Sequence, residues 1–128
     1  MKPPCEHIRL SQQARDQLIK IKRITGIPHY NIICRLALCV SLSEERPPKD
    51  TPTPASGDLE MTWKVFAGEL GPLLCHLLLH RCRKDCNGPT DRQALTRSLH
   101  LHLHRGLAYL SSEKQSAGLS TFCLRLRI

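Results

Sequence analysis

Two groups of side chains in this 128-residue chain have types and spacings that could do chemistry. The first is Cys82-x3-Cys86-x13-His100-x3-His104, close to the two-cysteine, two-histidine pattern of small zinc sites with a middle gap slightly longer than usual. Tetrahedral zinc needs both thiolates on a tight turn, facing two imidazoles one helical turn apart. His100 and His104 share a face if a helix runs through them. Against zinc, Cys82 falls inside a helical pattern and the intervening residues lack the aromatic that a small finger uses as its core. The plainer reading is that these histidines, beside Arg105, line a polar or anion-facing surface. His76 and His80 form a second pair four residues apart, a pattern more often surface or core filling than a ligand site. The second group is cationic. Arg15, Lys20, Lys22 and Arg23 lie in the stretch from Ile8 to Gly26, and cations spread over one side of a helix can contact phosphates, which positions a protein on nucleic acid and reads little sequence. A merely solvated basic face is the plain alternative.

Catalytic patterns are thin. The chain has no phosphate-cradling glycine loop, no paired acidic motif and no serine in a nucleophile turn. Cys82, between Arg81 and Arg83, comes nearest to a thiol activated by neighbouring charge. A binding role is expected, with no enzymatic activity and no cofactor.

The elements that must position these residues read as helices. Ser11 is suited to cap a helix and Gly26 to close it, which places the first helix over about residues 12–25. At 100° per residue, Ala14, Leu18, Ile21 and Ile24 fall on one side and the cations on the other, with Ile19 among the charges. Asn31 to Leu42 is apolar nearly all round, so this second helix must be covered on several sides, and self-association is expected. Residues 46–58 carry four prolines and read as a surface loop. In Leu59 to Gly68 the alternation of Met61, Trp63 and Val65 with polar residues predicts a short strand or extended arm, with Trp63 in the core. Leu73 to Lys84 has the density of a packed helix ending in cations that suit its C-terminal dipole. Thr90 or Asp91 then caps a fourth helix that reaches about Leu110. The alternation Leu99-His-Leu-His-Leu-His104 could also suit a strand, but the periodicity on both sides favours helix. Residues 111–128 stay an unassigned tail.

Nineteen Lys and Arg against eleven Asp and Glu give a net charge of +8, and residues 1–43 hold seven basic side chains against two acidic ones. That balance favours a polyanionic partner. No stretch has the apolar length of a secretory signal or of a membrane span, so a soluble cytoplasmic protein is expected. The seven cysteines are an odd number, several within apolar helical patterns, and reduced thiols are expected.

The segments Ile8 to Leu18, Lys22 to Ile27, Asn31 with Cys34 to Leu42, Trp63 to Glu69 and His100 to Leu110 together resemble the DndE family of bacterial DNA phosphorothioation, over about residues 6–110. The proline loop and the tail lie outside the resemblance, and His29-Tyr30 stands where a tryptophan-containing turn is expected. The resemblance implies a mostly helical homotetramer that binds double-stranded DNA, prefers nicked duplex and works with other Dnd proteins. It implies no catalytic residue here, since the sulfur chemistry of that system resides in a cysteine desulfurase and an iron–sulfur partner.

The expected architecture is mainly α: a compact four-helix single domain over residues 1–110 with a short N-terminal extended segment. Arg15, Lys20, Lys22 and Arg23 are the expected DNA contacts. A second mode follows from the element order, because extended segment, helix, turn and helix is also the order of ribbon-helix-helix regulators. In that mode strands from two chains pair in the major groove. Cys5, His7 and Arg9 would then face bases while Ile8 and Leu10 face the core.

Overall fold

The computed structural model describes residues 3–49, 59–86 and 90–112. The proline-rich stretch from residue 50 onward and the tail from residue 113 lie outside the described residues, and residues 46–49 carry neither helix nor strand. In chain order the elements are β1 (His7–Arg9), α1 (Gln12–Thr25), α2 (Tyr30–Ser43), β2 (Glu60–Thr62), α3 (Trp63–Ala67), a single 3-10 turn (Gly68–Leu70), α4 (Gly71–Asp85) and α5 (Arg92–Ser111). Four long helices thus carry the fold, as the apolar periodicity predicts.

Local chemistry sets the boundaries of α1. The Ser11 hydroxyl accepts from the Ala14 amide at 3.1 Å, satisfying one of the free donors of the first turn. Gly26 adopts φ 74°, the left-handed conformation that costs a residue without Cβ little, and its N–H donates to Lys22 O at 2.9 Å. Asp91 starts α5 in the same way, its carboxylate accepting from Ala94 N at 2.8 Å.

α2 and α5 form the centre. Ile33, Cys34, Ala37 and Leu38 of α2 meet Leu99, Leu103 and Leu107 of α5, all fully buried. Their approach is close enough that a Cβ built at Gly106 would collide with the backbone carbonyl of Ala37. No other residue type fits at position 106 without separating the two helices. α1 lays Ala14, Leu18 and Ile21 on this pair, and α4 adds Leu74, Cys75 and Leu78.

The strand expected in Leu59 to Gly68 is shorter than its alternation suggests. Only Glu60–Thr62 is extended; the chain then turns into α3, because the Thr62 hydroxyl caps a helix by accepting from Val65 N at 3.1 Å. Trp63 and Phe66, three residues apart, thereby both face inward with ring centroids 5.4 Å apart, while Val65 is turned out to solvent. The extended N-terminal segment pairs with this same strand. β1 and β2 run antiparallel with His7 opposite Thr62, Ile8 opposite Met61 and Arg9 opposite Glu60. The ribbon is closed within one chain rather than between two, so the element order shared with ribbon-helix-helix proteins is met by a different pairing. Ile8 and Leu10 are buried, as that reading also required, but His7 and Arg9 both turn to the Glu60 carboxylate at 3.4 Å.

Candidate nucleic-acid interface

The buried stripe of α1 leaves its opposite side to solvent. Lys22 and Arg23 are exposed, Arg15 and Lys20 partly so, and Ile19 stands between them with 43% of its surface open. At 1.5 Å per residue, the seven-residue step from Arg15 to Lys22 spans about 10 Å along the helix. Among the described residues, none of these four cations has a carboxylate within ion-pair distance. Asp16, the acidic residue of the helix, instead accepts from Gln12 Nε2 at 3.2 Å. Lys22 Nζ lies 4.8 Å from the centroid of the Tyr30 ring, a cation–π contact that orients the ammonium toward the start of α2 without neutralising it.

The four proposed zinc ligands do not converge. Cys82 and Cys86 are 4.0 Å apart at the end of α4, and Ser98 of α5 is a hydrogen-bond neighbour of the Cys82 thiol. His100 and His104 lie on another face of α5. Both nitrogens of His104 are committed: Nδ1–H donates to His100 O at 2.7 Å, and Nε2 accepts from Ser11 N–H at 3.3 Å. An imidazole used in this way has no lone pair left for a metal. Among the described residues no cluster of three or more metal-ligating side chains occurs. His104 instead ties α5 to the start of α1. Cys82, read from the sequence as falling inside a helical pattern, lies within α4.

Sequence reasoning missed the most densely hydrogen-bonded group among the described residues. Arg81 reads as one of several cations at the end of α4, yet it is only 6% exposed. Its Nε donates to both oxygens of Asp85, at 2.9 and 3.1 Å. Its terminal nitrogens donate to the carbonyls of Leu42, Glu45 and Arg46. Arg105 completes the arrangement from α5, donating to Ser41 Oγ and to the carbonyls of Ser41 and Arg46. Two guanidiniums therefore gather the carbonyls of Ser41 and Leu42 at the end of α2 and of Glu45 and Arg46 just beyond it, and their charge suits the negative end of that helix. His102 lies fully buried between them. With the Nε2–H tautomer it donates to Asp85 Oδ2 at 3.1 Å and accepts from the Ser41 hydroxyl at 2.8 Å. Burial holds its pKa below the ordinary value of 6.5, with Arg105 and Arg81 acting in the same direction and the Asp85 hydrogen bond opposing.

Ser41, His102 and Asp85 are thus linked in the order of a hydrolase triad. Ser41 and His102 have no exposed surface, and Arg105 already donates to the hydroxyl, so a substrate has no path to Ser41 Oγ. The cluster holds three helices together. The one signal for it was the i, i+4 spacing of Arg81 and Asp85, which is ambiguous between an exposed and a buried pair.

A groove of about 1010 Å³ runs between Pro4–His7 and the first half of α5, lined there by Arg92, Thr96, Arg97 and His100. Arg92 Nε and Thr96 Oγ1 donate to the Pro4 carbonyl and fix its floor.

The DndE family model, described as DNA sulphur modification protein DndE, matches residues 7–118. No curated protein sequence matches the chain. The fold is similar to the crystal structure of DndE from Escherichia coli B7A, involved in DNA phosphorothioation modification, with a TM-score of 0.70 and 27% identity over 83% of this chain and 96% of that one. It is also similar to a DndE G21/24K mutant involved in DNA phosphorothioation, with a TM-score of 0.63 and 26% identity over the same shares. With a family match that runs from β1 past the end of α5 and solved DndE structures of the same architecture, the chain belongs to the DndE family of DNA sulphur modification proteins.

Proposed function

We propose that this protein is a non-catalytic accessory of DNA phosphorothioation that grips double-stranded DNA through the outer face of α1. The observation that carries the reading is the set Arg15, Lys20, Lys22 and Arg23, directed away from the core and meeting no carboxylate among the described residues. Charges left in that state exchange mobile counterions for phosphates at little cost in side-chain rearrangement. Nicked duplex is the preferred form, since a break lowers the stiffness that resists bending around a protein surface. The other Dnd proteins supply the sulfur chemistry, and a cytoplasmic location follows from DNA as the object of the modification. No helix among the described residues is long and apolar enough to cross a membrane.

Assembly as a homotetramer is supported by the apolar side chains left at the surface. Leu70, Leu73 and Leu77 follow one another at helical spacing and are 44%, 54% and 42% exposed, more contiguous apolar surface than a helix facing water ordinarily carries. Light scattering at micromolar concentration should give the tetramer mass; a monomer throughout would remove this part of the reading.

Binding to intact, nicked and single-stranded oligonucleotides at several salt concentrations tests the DNA face. Replacing Lys20, Lys22 and Arg23 together by Ala should lower the salt slope by up to ~3 units if each meets a phosphate. A slope unchanged from the parent would place the contact elsewhere.

A further inference from the structure

The end of α4 brings a buried thiol and an exposed one into contact, outside the proposed DNA face. Cys82 Sγ and Cys86 Sγ are 4.0 Å apart, and both are free thiols. Residues four apart on a helix hold their Cβ atoms about 5–6 Å from each other, whereas a disulfide needs about 3.5–4.5 Å. A shift of about 1–2 Å therefore separates contact from bond.

Cys86 is placed to make that shift. It caps α4 with φ −109° and ψ 129°, already outside the helical region, and its N–H to Cys82 O at 2.9 Å anchors it beside its partner. The two thiols also differ in access, since Cys86 is exposed and Cys82 buried. Burial, and then the neighbouring Cys86, push the Cys82 thiol up to about 11, so Cys82 is the slower of the two to react first.

We propose that Cys82 and Cys86 form a reversible dithiol–disulfide site, a modification site for small disulfide oxidants of the glutathione type. It acts independently of DNA binding. The exposed Cys86 thiolate attacks one sulfur of the small disulfide, breaking its S–S bond and releasing one small thiolate. Cys82 then gives up its proton, attacks the Cys86 sulfur of the mixed disulfide and expels the second small thiolate. Two protein thiols lose two electrons, one small disulfide gains them, and the two thiol protons end on the released thiolates. The bond would clamp the last turn of α4, where Asp85 holds Arg81 and His102.

The test uses the full chain in buffers of oxidised and reduced glutathione, quenched by alkylation and mapped by mass spectrometry after trypsin. The parent protein should give the peptide Cys82–Arg83 joined to the peptide that begins at Asp85 and carries Cys86, with glutathione on Cys86 only a minor species. In Cys82→Ser the second step is lost, and the glutathione adduct on Cys86 should become the dominant form. Cys82→Ala serves the same purpose if the serine is poorly accommodated, with circular dichroism reporting the fold of each. The proposal is overturned if the parent accumulates the Cys86 adduct to the same extent as the variants. It is equally overturned if exposed Cys39 is modified while Cys86 stays free.

Discussion

The outer face of α1 and the junction of α2, α4 and α5 are both rich in arginine or lysine, and they use the charge in opposite ways. On α1 the cations sit opposite a fully buried stripe of Ala14, Leu18 and Ile21 and find no carboxylate among the described residues. At the junction Arg81 and Arg105 are turned inward and spend their donors on Asp85, Ser41 and the carbonyls that follow α2. Part of the +8 net charge therefore has nothing to do with an external partner. The lesson is that a basic residue announces binding only when its place on a helix leaves its nitrogens to water. Close to the carbonyl end of another helix, the same guanidinium is structural.

The largest effect that separates the two regions should come from Arg81→Met. It leaves the Asp85 carboxylate with His102 as its partner and takes the guanidinium donor from the carbonyls of Leu42 and Glu45, and breaking a buried pair of this kind costs about 3–5 kcal/mol. Urea unfolding should register that loss while the salt slope of DNA binding by the folded protein stays that of the parent. A cost below about 1 kcal/mol would mean that the junction is wetter than its burial implies. Gly106→Ala attacks the same junction through sterics alone. The forced separation of α2 from α5 should cost about 1–3 kcal/mol or more, read as a lower denaturation midpoint, and a neutral outcome would contradict the close approach at Ala37.

A smaller and graded effect should come from pH. Burial holds His100, His102 and His104 below their ordinary value of 6.5. Just below pH 6.5 the unfolded chain therefore binds more protons than the folded one. The contribution of these histidines to stability is complete above that pH and is lost as pH falls through their depressed values. The thermal midpoint should drop on going from pH 7 to about 5; a flat profile would show that the imidazoles keep solvent access in the fold. The smallest effect belongs to the other region. Lys20→Ala, Lys22→Ala and Arg23→Ala together should change stability by no more than about 0.5 kcal/mol per site, as surface substitutions do. A larger loss in urea unfolding would mean that this face supports the fold and is not free for DNA.

Much of this architecture was legible in the residues. Ser11, Gly26 and Asp91 announce helix ends because their side chains, or the lack of one, answer the unpaired groups of a terminal turn. The apolar spacing places Leu18 and Ile21 inside and Lys22 and Arg23 outside without reference to any other element. The stretch from Leu59 was less legible, since Thr62 can continue an alternating strand or cap a helix, and only the packing of Trp63 against Phe66 selects the second.

The solvent-facing side of α1 was thus determined by the sequence by itself, because a 3.6-residue repeat fixes which side of a single helix meets water. The fate of Arg81, Asp85 and His102 was decided only by tertiary structure. Apart from the Arg81–Asp85 pair itself, their partners lie 17 to 61 residues away along the chain, and whether an i, i+4 ion pair faces solvent or core depends on what another helix brings against it. The same reason holds for His104, which belongs to a zinc-like spacing but accepts from the backbone of Ser11, 93 residues away. Short-range periodicity sets which face of a helix is available, and long-range packing sets which of its polar groups are already taken.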